Sequence, residues 1–261
     1  MPKLTICSWN VNGLRAAVRT ADFQGWLAGT SPDIAGLQEV KALPEQVEAA
    51  LWEQHGYACH WHSAERAGYS GALLLTKMSP QAVRTGIGID DFDREGRMIE
   101  ADFPWFTLIT CYFPNAGNKA VRLDFKLHFY SVFLEHIKAL RAAGRPVIFM
   151  GDLNVAHTEH DVARPQEALK GTGFLPVERE WLDRFHEAGF VDTFRRLNPD
   201  ARDAYSYWDA WRERRARNVG WRIDYVFVSE DLLPAVKHAF IQADVMGSDH
   251  CPVGIELEVP D

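Results

Sequence analysis

The sequence predicts a layered α/β sandwich. Three observations carry the prediction: short apolar runs of strand length recur along the chain, helical stripes interrupt them, and polar residues collect where the strands end. With 261 residues and 47% hydrophobic content, one domain over residues 1–261 has enough apolar side chain for a sizeable core.

Strands are expected at Leu4–Trp9, Ile34–Leu37, Ala72–Thr76, Phe106–Tyr112, Val147–Met150, Tyr225–Val228 and Val253–Leu257. Several are almost continuously apolar, as strands covered on both faces are. Pro44–Trp52 reads as a helix with proline in its first turn. Val121–Ala143 is the clearest helix. Phe125, Phe129, Val132, Phe133, His136, Ile137 and Leu140 form its stripe, and Gly144 and Pro146 end it. Arg179–Ala188 reads as another, closed by Gly189.

Composition narrows the function classes. No run of about 20 apolar residues is present, and residues after Met1 do not form a basic-then-apolar leader, so a cytoplasmic protein without a membrane partner is expected. Cys7, Cys59, Cys111 and Cys251 lack C-x-x-C spacing and read as reduced thiols. The net charge of -8 does not exclude nucleic acid, which responds to local charge. Arg212, Arg214, Arg215, Arg217 and Arg222 crowd one stretch beside Trp208, Trp211 and Trp221.

Five apolar runs are flanked by groups that suit a metal or a phosphate. They are Asn10 and Asn12; Gln38 and Glu39; Tyr112 and Asn115; Asp152 and Asn154; and Ser248-Asp249-His250. Converging on one rim, they would supply what phosphodiester hydrolysis needs: charge neutralisation, a positioned nucleophile and support for the leaving oxygen. Oxygen donors without cysteine favour Mg²⁺ or Mn²⁺ over zinc. His157-Thr158-Glu159-His160-Asp161 fits no H-E-x-x-H spacing and reads as a surface turn.

Seven segments together resemble the exonuclease III family of apurinic/apyrimidinic endonucleases. They are Ser8 to Arg15, Leu37 to Lys41, Gly68 to Gly71, Tyr112 to Gly117, Gly151 to His157, Asn218 to Tyr225 and Gly247 to Pro252, in unbroken order over nearly the whole chain. The resemblance implies a four-layered sandwich of two packed mixed sheets flanked by helices, as in pancreatic-type deoxyribonuclease. It implies Mg²⁺, with Mn²⁺ substituting, near Glu39, Asp249, Asn10 and Asn12. It gives Asp152 and Asn154 to the attacking water, the His250–Asp224 pair to the phosphate, and Tyr112 and Asn115 to the phosphate or leaving oxygen.

Tyr207, Trp221 and Ile223 match positions lining the family's pocket for an extruded abasic sugar. Arg15, Tyr69, Trp211, Arg214, Arg215, Arg217 and Asn218 are the further DNA-contact candidates. The implied partner is duplex DNA with abasic or damaged sites, met by a monomer. It would be cut 5′ to the lesion to leave a 3′-hydroxyl, with 3′-to-5′ exonuclease or 3′-end trimming besides. The same metal core serves inositol-phosphate and lipid phosphodiesterases of the wider superfamily, which is the alternative reading; a DNA-binding protein that has lost catalysis is another. Two positions depart from the pattern: Asn12 stands where some members carry Asp, and Asn118 where some place an arginine wedge, a task Trp211 and Lys119 would share. Regulatory functions of long N-terminal tails are not expected.

Overall fold

Among residues 2–260, which this computed structural model describes apart from the side chain of Asn118, twelve strands form two six-stranded sheets. The reading of Asn118 as a replaced wedge lies outside the described side chains. The first sheet runs β11 (Val236–Ile241), β12 (Val253–Glu258), β1 (Lys3–Asn10), β2 (Ile34–Gln38), β4 (Ala72–Thr76), β3 (Ala58–His62). The second runs β5 (Ala82–Thr85), β6 (Met98–Asp102), β7 (Thr107–Tyr112), β8 (Val147–Asp152), β10 (Asp224–Ser229), β9 (Phe190–Asp192). Only β1–β2 and β7–β8 pair in parallel; the other pairs are antiparallel.

The sheets face each other across Ile6, Ile34, Leu74 and Ile255 from the first and Ile99, Leu108, Ile148, Met150 and Val226 from the second, all buried. The outer face of the second sheet is covered by the helices Leu123–Ala142 and Pro176–Glu187 through Phe129, Phe133, Ile137, Leu182 and Phe185. The outer face of the first is covered by the helix Ala21–Gly29 through Phe23, Trp26 and Leu27. The four expected layers are therefore present. Among the described residues no helix is long and apolar enough to cross a membrane.

All seven expected strands form. The five not foreseen are β3, β5, β6, β9 and β11, and four of these are sheet edges. The Pro44–Trp52 helix is corrected. Pro44–Gln46 is a 3₁₀ turn, Val47 is extended, and a short helix resumes at Ala50–Glu53. The Arg179–Ala188 helix starts earlier, at Pro176, because the Glu178 carboxylate accepts from the Leu175 N–H and caps it. Arg222 is also corrected from the basic patch. It is buried, and its guanidinium donates to Asp161 (2.8 Å) and Asp192 (2.7 Å).

Register brings the polar strand ends together. Asn10 is the partner of Gln38 across β1–β2. Tyr112 and Asp224 are both partners of Asp152, from β7 and β10. One row across three adjacent strands thus carries a tyrosine and two aspartates. The sheets meet closely beneath this rim, since a Cβ on Gly36 would lie 2.2 Å from Thr110 Oγ1. Gln38 bridges the gap by donating to Thr110 Oγ1 at 2.9 Å. Gly151 is required just before Asp152: its φ is +149°, and a Cβ there would lie 1.8 Å from the Cys111 carbonyl oxygen.

Candidate active site

Asn10 is the hinge between the two sheets. Its Nδ2 donates to Glu39 Oε1 and to Asp152 Oδ2, each at 2.9 Å, so one amide separates two carboxylates from opposite sheets. Its Oδ1 accepts from the Asn12 N–H at 3.0 Å. Ser248 Oγ donates to the Asn10 carbonyl (2.8 Å) and accepts from the His250 N–H (3.2 Å), which ties the Ser248-Asp249-His250 turn to the end of β1. Asn12, Glu39 and Asn154 all hold left-handed backbone, with φ of 45°, 49° and 54°. Three strained non-glycine residues at three strand ends of one rim mark a site whose surroundings over-determine it.

His250 lies between two aspartates. Its Nδ1 donates to Asp224 Oδ2 at 2.8 Å, and its Nε2 is 3.8 Å from Asp152 Oδ2. Asp224 is fixed in turn by Ser206 Oγ at 2.7 Å, while its Oδ1 is buried without a partner. Burial alone would lower the His250 pKa. The charge and hydrogen bond of Asp224, then the charge of Asp152, reverse this and lift it to about 10. The imidazole is therefore cationic at neutral pH. Asp152 is pushed up first by burial, with His250 pulling it back and Asp224 and Glu39 pushing it further, to about 7. A buried carboxyl poised near neutrality is suited to take a proton from water.

Glu39 is held by Asn10 and, at 2.8 Å, by Lys41 Nζ. Burial raises its pKa, and hydrogen bonds from Asn10 and Lys41 outweigh that, so it stays ionised. Asn12 donates to Asp249 Oδ1 at 3.1 Å and accepts from Lys41. Tyr112 is buried at the end of β7 as the strand partner of Asp152. Its pKa is raised well above the ordinary value, by burial first and then by Glu39 and Asp152. Arg97, stacked 4.8 Å from the Tyr112 ring and bonded to its carbonyl, steadies it. Asn115 Nδ2 donates to Asn154 Oδ1 at 2.8 Å, and Asn154 Nδ2 to the Phe113 carbonyl at 3.0 Å.

A divalent cation fits this donor set. Glu39, Asp152, Asp224 and Asp249 supply four carboxylates, against the cations Lys41 and His250. Ligand atoms of Asp152, Asp224 and His250 lie within 4.8 Å of one another. His250 Nδ1 is taken by Asp224, which leaves Nε2 as its one free ring nitrogen. Glu39 and Asp249 also line the cavity and offer hard oxygen donors.

The cavity is about 300 Å³. Its polar lining comes from Glu39, Asp152, Asn154, Asp249, His250 and Asn115, its apolar lining from Tyr207, Trp221 and Ile223, and Arg214 lines it as well. The Tyr207 ring lies 4.7 Å from that of His250. Thr172, Gly173 and Asp209 also line it, and no motif points to them. Gly173 faces the Trp221 ring from a turn whose local sequence, Gly171-Thr172-Gly173, signals only a loop.

The remaining candidates divide. Arg15 and Tyr69 line an adjoining hollow with Lys41 and Arg66. Tyr69 is half-buried, its hydroxyl accepting from Arg122 at 2.6 Å and Arg97 at 3.0 Å. Trp211 is 53% exposed, beneath the guanidinium groups of Arg212 and Arg214. Arg217 is exposed. Arg215 and Asn218 are not brought to the cavity. Arg215 donates to the carbonyls of Ser248, Ala243 and Val245, and Asn218 joins Trp208 Nε1 to the Asp203 carbonyl. Both hold the loop that carries their neighbours.

Known proteins are similar to nearly the whole chain. The endonuclease/exonuclease/phosphatase family matches residues 7–250. An exodeoxyribonuclease of Bacillus subtilis is 43% identical over 256 residues, spanning 98% of this chain and 100% of that protein. The DNA repair nuclease APEX1 of Danio rerio is 42% identical over 261 residues, spanning 98% of this chain and 83% of that protein. A 3′ phosphatase from Neisseria, solved with a product DNA hairpin, superposes with a TM-score of 0.88 at 26% identity, over 98% of this chain and 100% of that one. With identities above 40% across both full-length and near-full-length relatives, the chain belongs to the endonuclease/exonuclease/phosphatase family, in its exonuclease III and AP endonuclease branch.

Proposed function

We propose that the protein is a DNA repair nuclease that hydrolyses the phosphodiester 5′ to abasic sites in duplex DNA, with Mg²⁺ as its cation, leaving a 3′-hydroxyl. The observation that carries this reading is the juxtaposition, in one small cavity, of Asp152 and His250, the latter backed by Asp224, with Tyr207, Trp221 and Ile223.

Asp152, fixed by the Asn10 amide and the Asn154 N–H, accepts a proton from the attacking water. The His250 cation offers its Nε2–H to a phosphate oxygen, and Asp224 keeps it charged and aimed. Asn115 and Asn154 orient the same group. Glu39 and Asp249 would hold the cation, which supplies Lewis-acid neutralisation of the phosphate when bound. The Lys41 ammonium beside Glu39 limits local repulsion before it binds.

The apolar wall supports the abasic preference. An extruded sugar without its base loses no stacking and can rest against Trp221, whereas a base needs space that the Gly173 turn and Trp221 enclose. The exposed Arg212 and Arg217 add charge for the phosphate backbone. Exonuclease and 3′-end trimming follow from the same cluster acting at a terminus.

The test is one labelled duplex in abasic, uracil, nicked and intact forms, with and without Mg²⁺. Cutting 5′ to the abasic site, abolished by EDTA, is expected. Release of inorganic phosphate from inositol phosphates, with abasic DNA left intact, would reverse the assignment.

A further inference from the structure

The turn that carries Asp152 and Asn154 is gripped from behind as well as from within the cavity. Three consecutive carbonyls each accept from a buried side chain: Leu153 from the Tyr130 hydroxyl (2.5 Å), Asn154 from Lys126 Nζ (2.7 Å) and Val155 from the Tyr225 hydroxyl (2.9 Å). Two of these supports are neutral tyrosines. The third, behind Asn154 itself, is a charged lysine with no solvent exposure.

Lys126 is paired with Glu178 at 2.6 Å, and both side chains are buried. The second oxygen of Glu178 accepts from the backbone N–H of Gly173 at 2.6 Å. Gly173 is the cavity-lining turn opposite Trp221. Its φ is +89°, and a Cβ there would lie 3.3 Å from Trp221 Cζ3 and 3.4 Å from the Asn154 carbonyl oxygen. The Gly173 carbonyl returns to the segment after Asn154 by accepting from the Ala156 N–H at 2.9 Å. One ion pair therefore bonds the Asn154 turn through its cation and the cavity wall through its anion. It reaches them from two helices, Leu123–Ala142 and Pro176–Glu187.

Stability alone does not explain retaining such a pair, because replacing both partners by apolar groups of similar volume commonly stabilises a core as well or better, although losing one partner destabilises it. Charge-assisted hydrogen bonds do supply short, directional contacts that hold two loops in fixed relation. We propose that the Lys126–Glu178 pair is a positioning device that sets the Asn154 turn and the Gly173 wall together, so that turnover and exclusion of base-bearing nucleotides depend on it jointly. This inference rests on the nuclease reading above.

Lys126→Met removes the charge at similar volume. Three measurements are made on full-length protein: turnover on saturating abasic duplex, binding of that duplex in EDTA, and the ratio of cutting at abasic and deoxyuridine sites. Turnover is expected to fall by about tenfold to a hundredfold, the loss a small misplacement of a positioning group produces. Binding should stay within about threefold, since no DNA-facing group changes. The abasic-to-deoxyuridine ratio should fall, and Lys126→Arg should restore most of both losses. Glu178→Gln, which keeps volume and an acceptor for Gly173, must show the same split.

Unchanged turnover and ratio in folded variants, beside a wild type that cuts abasic DNA, overturn the inference alone. Loss of fold in both variants assigns the pair to stability and overturns it too. A wild type inert on abasic DNA overturns the nuclease reading, and the inference with it.

Discussion

The polar rim and the arginine loop face the same cavity but are built on opposite terms. Asn10, Asp152, Asn154, Asp224 and His250 of the rim are buried, and most of the rim's polar atoms have named partners: Asn10 to Glu39 and Asp152, His250 to Asp224, Asn154 to Phe113 and Asn115. The loop from Asp209 to Asn218 exposes Trp211, Arg212, Glu213 and Arg217, and holds Arg212 and Glu213 in left-handed backbone. Its anchors are few, chiefly the Arg215 and Asn218 bonds. Chemistry needs groups fixed to fractions of an ångström before substrate arrives. Contact with a long charged polymer tolerates mobile side chains and is governed by summed charge. The difference predicts that rim substitutions act on turnover and loop substitutions on salt-dependent binding.

The largest effect is expected from Asp152→Asn, an isosteric change in the most constrained part of the rim. Turnover should fall by about 10²–10⁴-fold, the usual share of a general base, while abasic duplex still binds in EDTA. Single-turnover cleavage beside fluorescence anisotropy measures both, and near-normal turnover would remove the water-activating role.

Asp161→Asn tests the scaffold behind the rim. Asp161 is buried and pairs with Arg222 and Arg195, and Arg222 fixes the segment between Trp221 and Asp224. Burial alone would raise its pKa; the Arg222 charge and the hydrogen bonds of both arginines hold it well below the carboxylate range. A depressed folded-state value means its stabilisation is fully present above the unfolded pKa of about 3.9 and fades as pH falls below it. Removing one partner of a buried pair costs about 3–5 kcal/mol. Urea denaturation should show that loss at pH 7 and a shrinking difference from wild type below about pH 4.

Asp224→Asn sharpens the comparison within the rim. Without that carboxylate the His250 pKa falls from about 10, and the Asp152 pKa, which Asp224 helps to raise, falls as well. Both limbs of the pH–rate profile should move to lower pH, with turnover at pH 9 falling more than at pH 7. A profile unmoved on its alkaline side would separate His250 from the reaction.

The smallest effect belongs to the loop. Arg217→Ala should lower the slope of log binding constant against log salt by about one, with turnover at saturation unchanged. A change in turnover instead would place Arg217 with the rim.

Chain order and residue type already determined the central strands. Runs such as Ile34–Leu37 and Val147–Met150 are apolar throughout because both their faces are covered, so no partner need be known to recognise them. The sequence also determined the polar strand ends, since Asn10, Glu39, Asp152 and His250 each follow or precede such a run. Edge strands were not legible. In β3, β5 and β11 one side meets solvent, and residues such as His60, Arg84 and Lys237 dilute the apolar signal. Local composition was equally silent on which arginines are free. Arg222 and Arg217 stand five positions apart in one basic stretch, and only the meeting of β9 and β10 with the Asp161 turn decided that the first would be buried between aspartates. Thr172, Gly173, Lys126 and Glu178 owe their places at or behind the cavity to the packing of two helices on the second sheet. Sequence records what each residue can offer; distance between residues far apart in the chain is created only when the layers close.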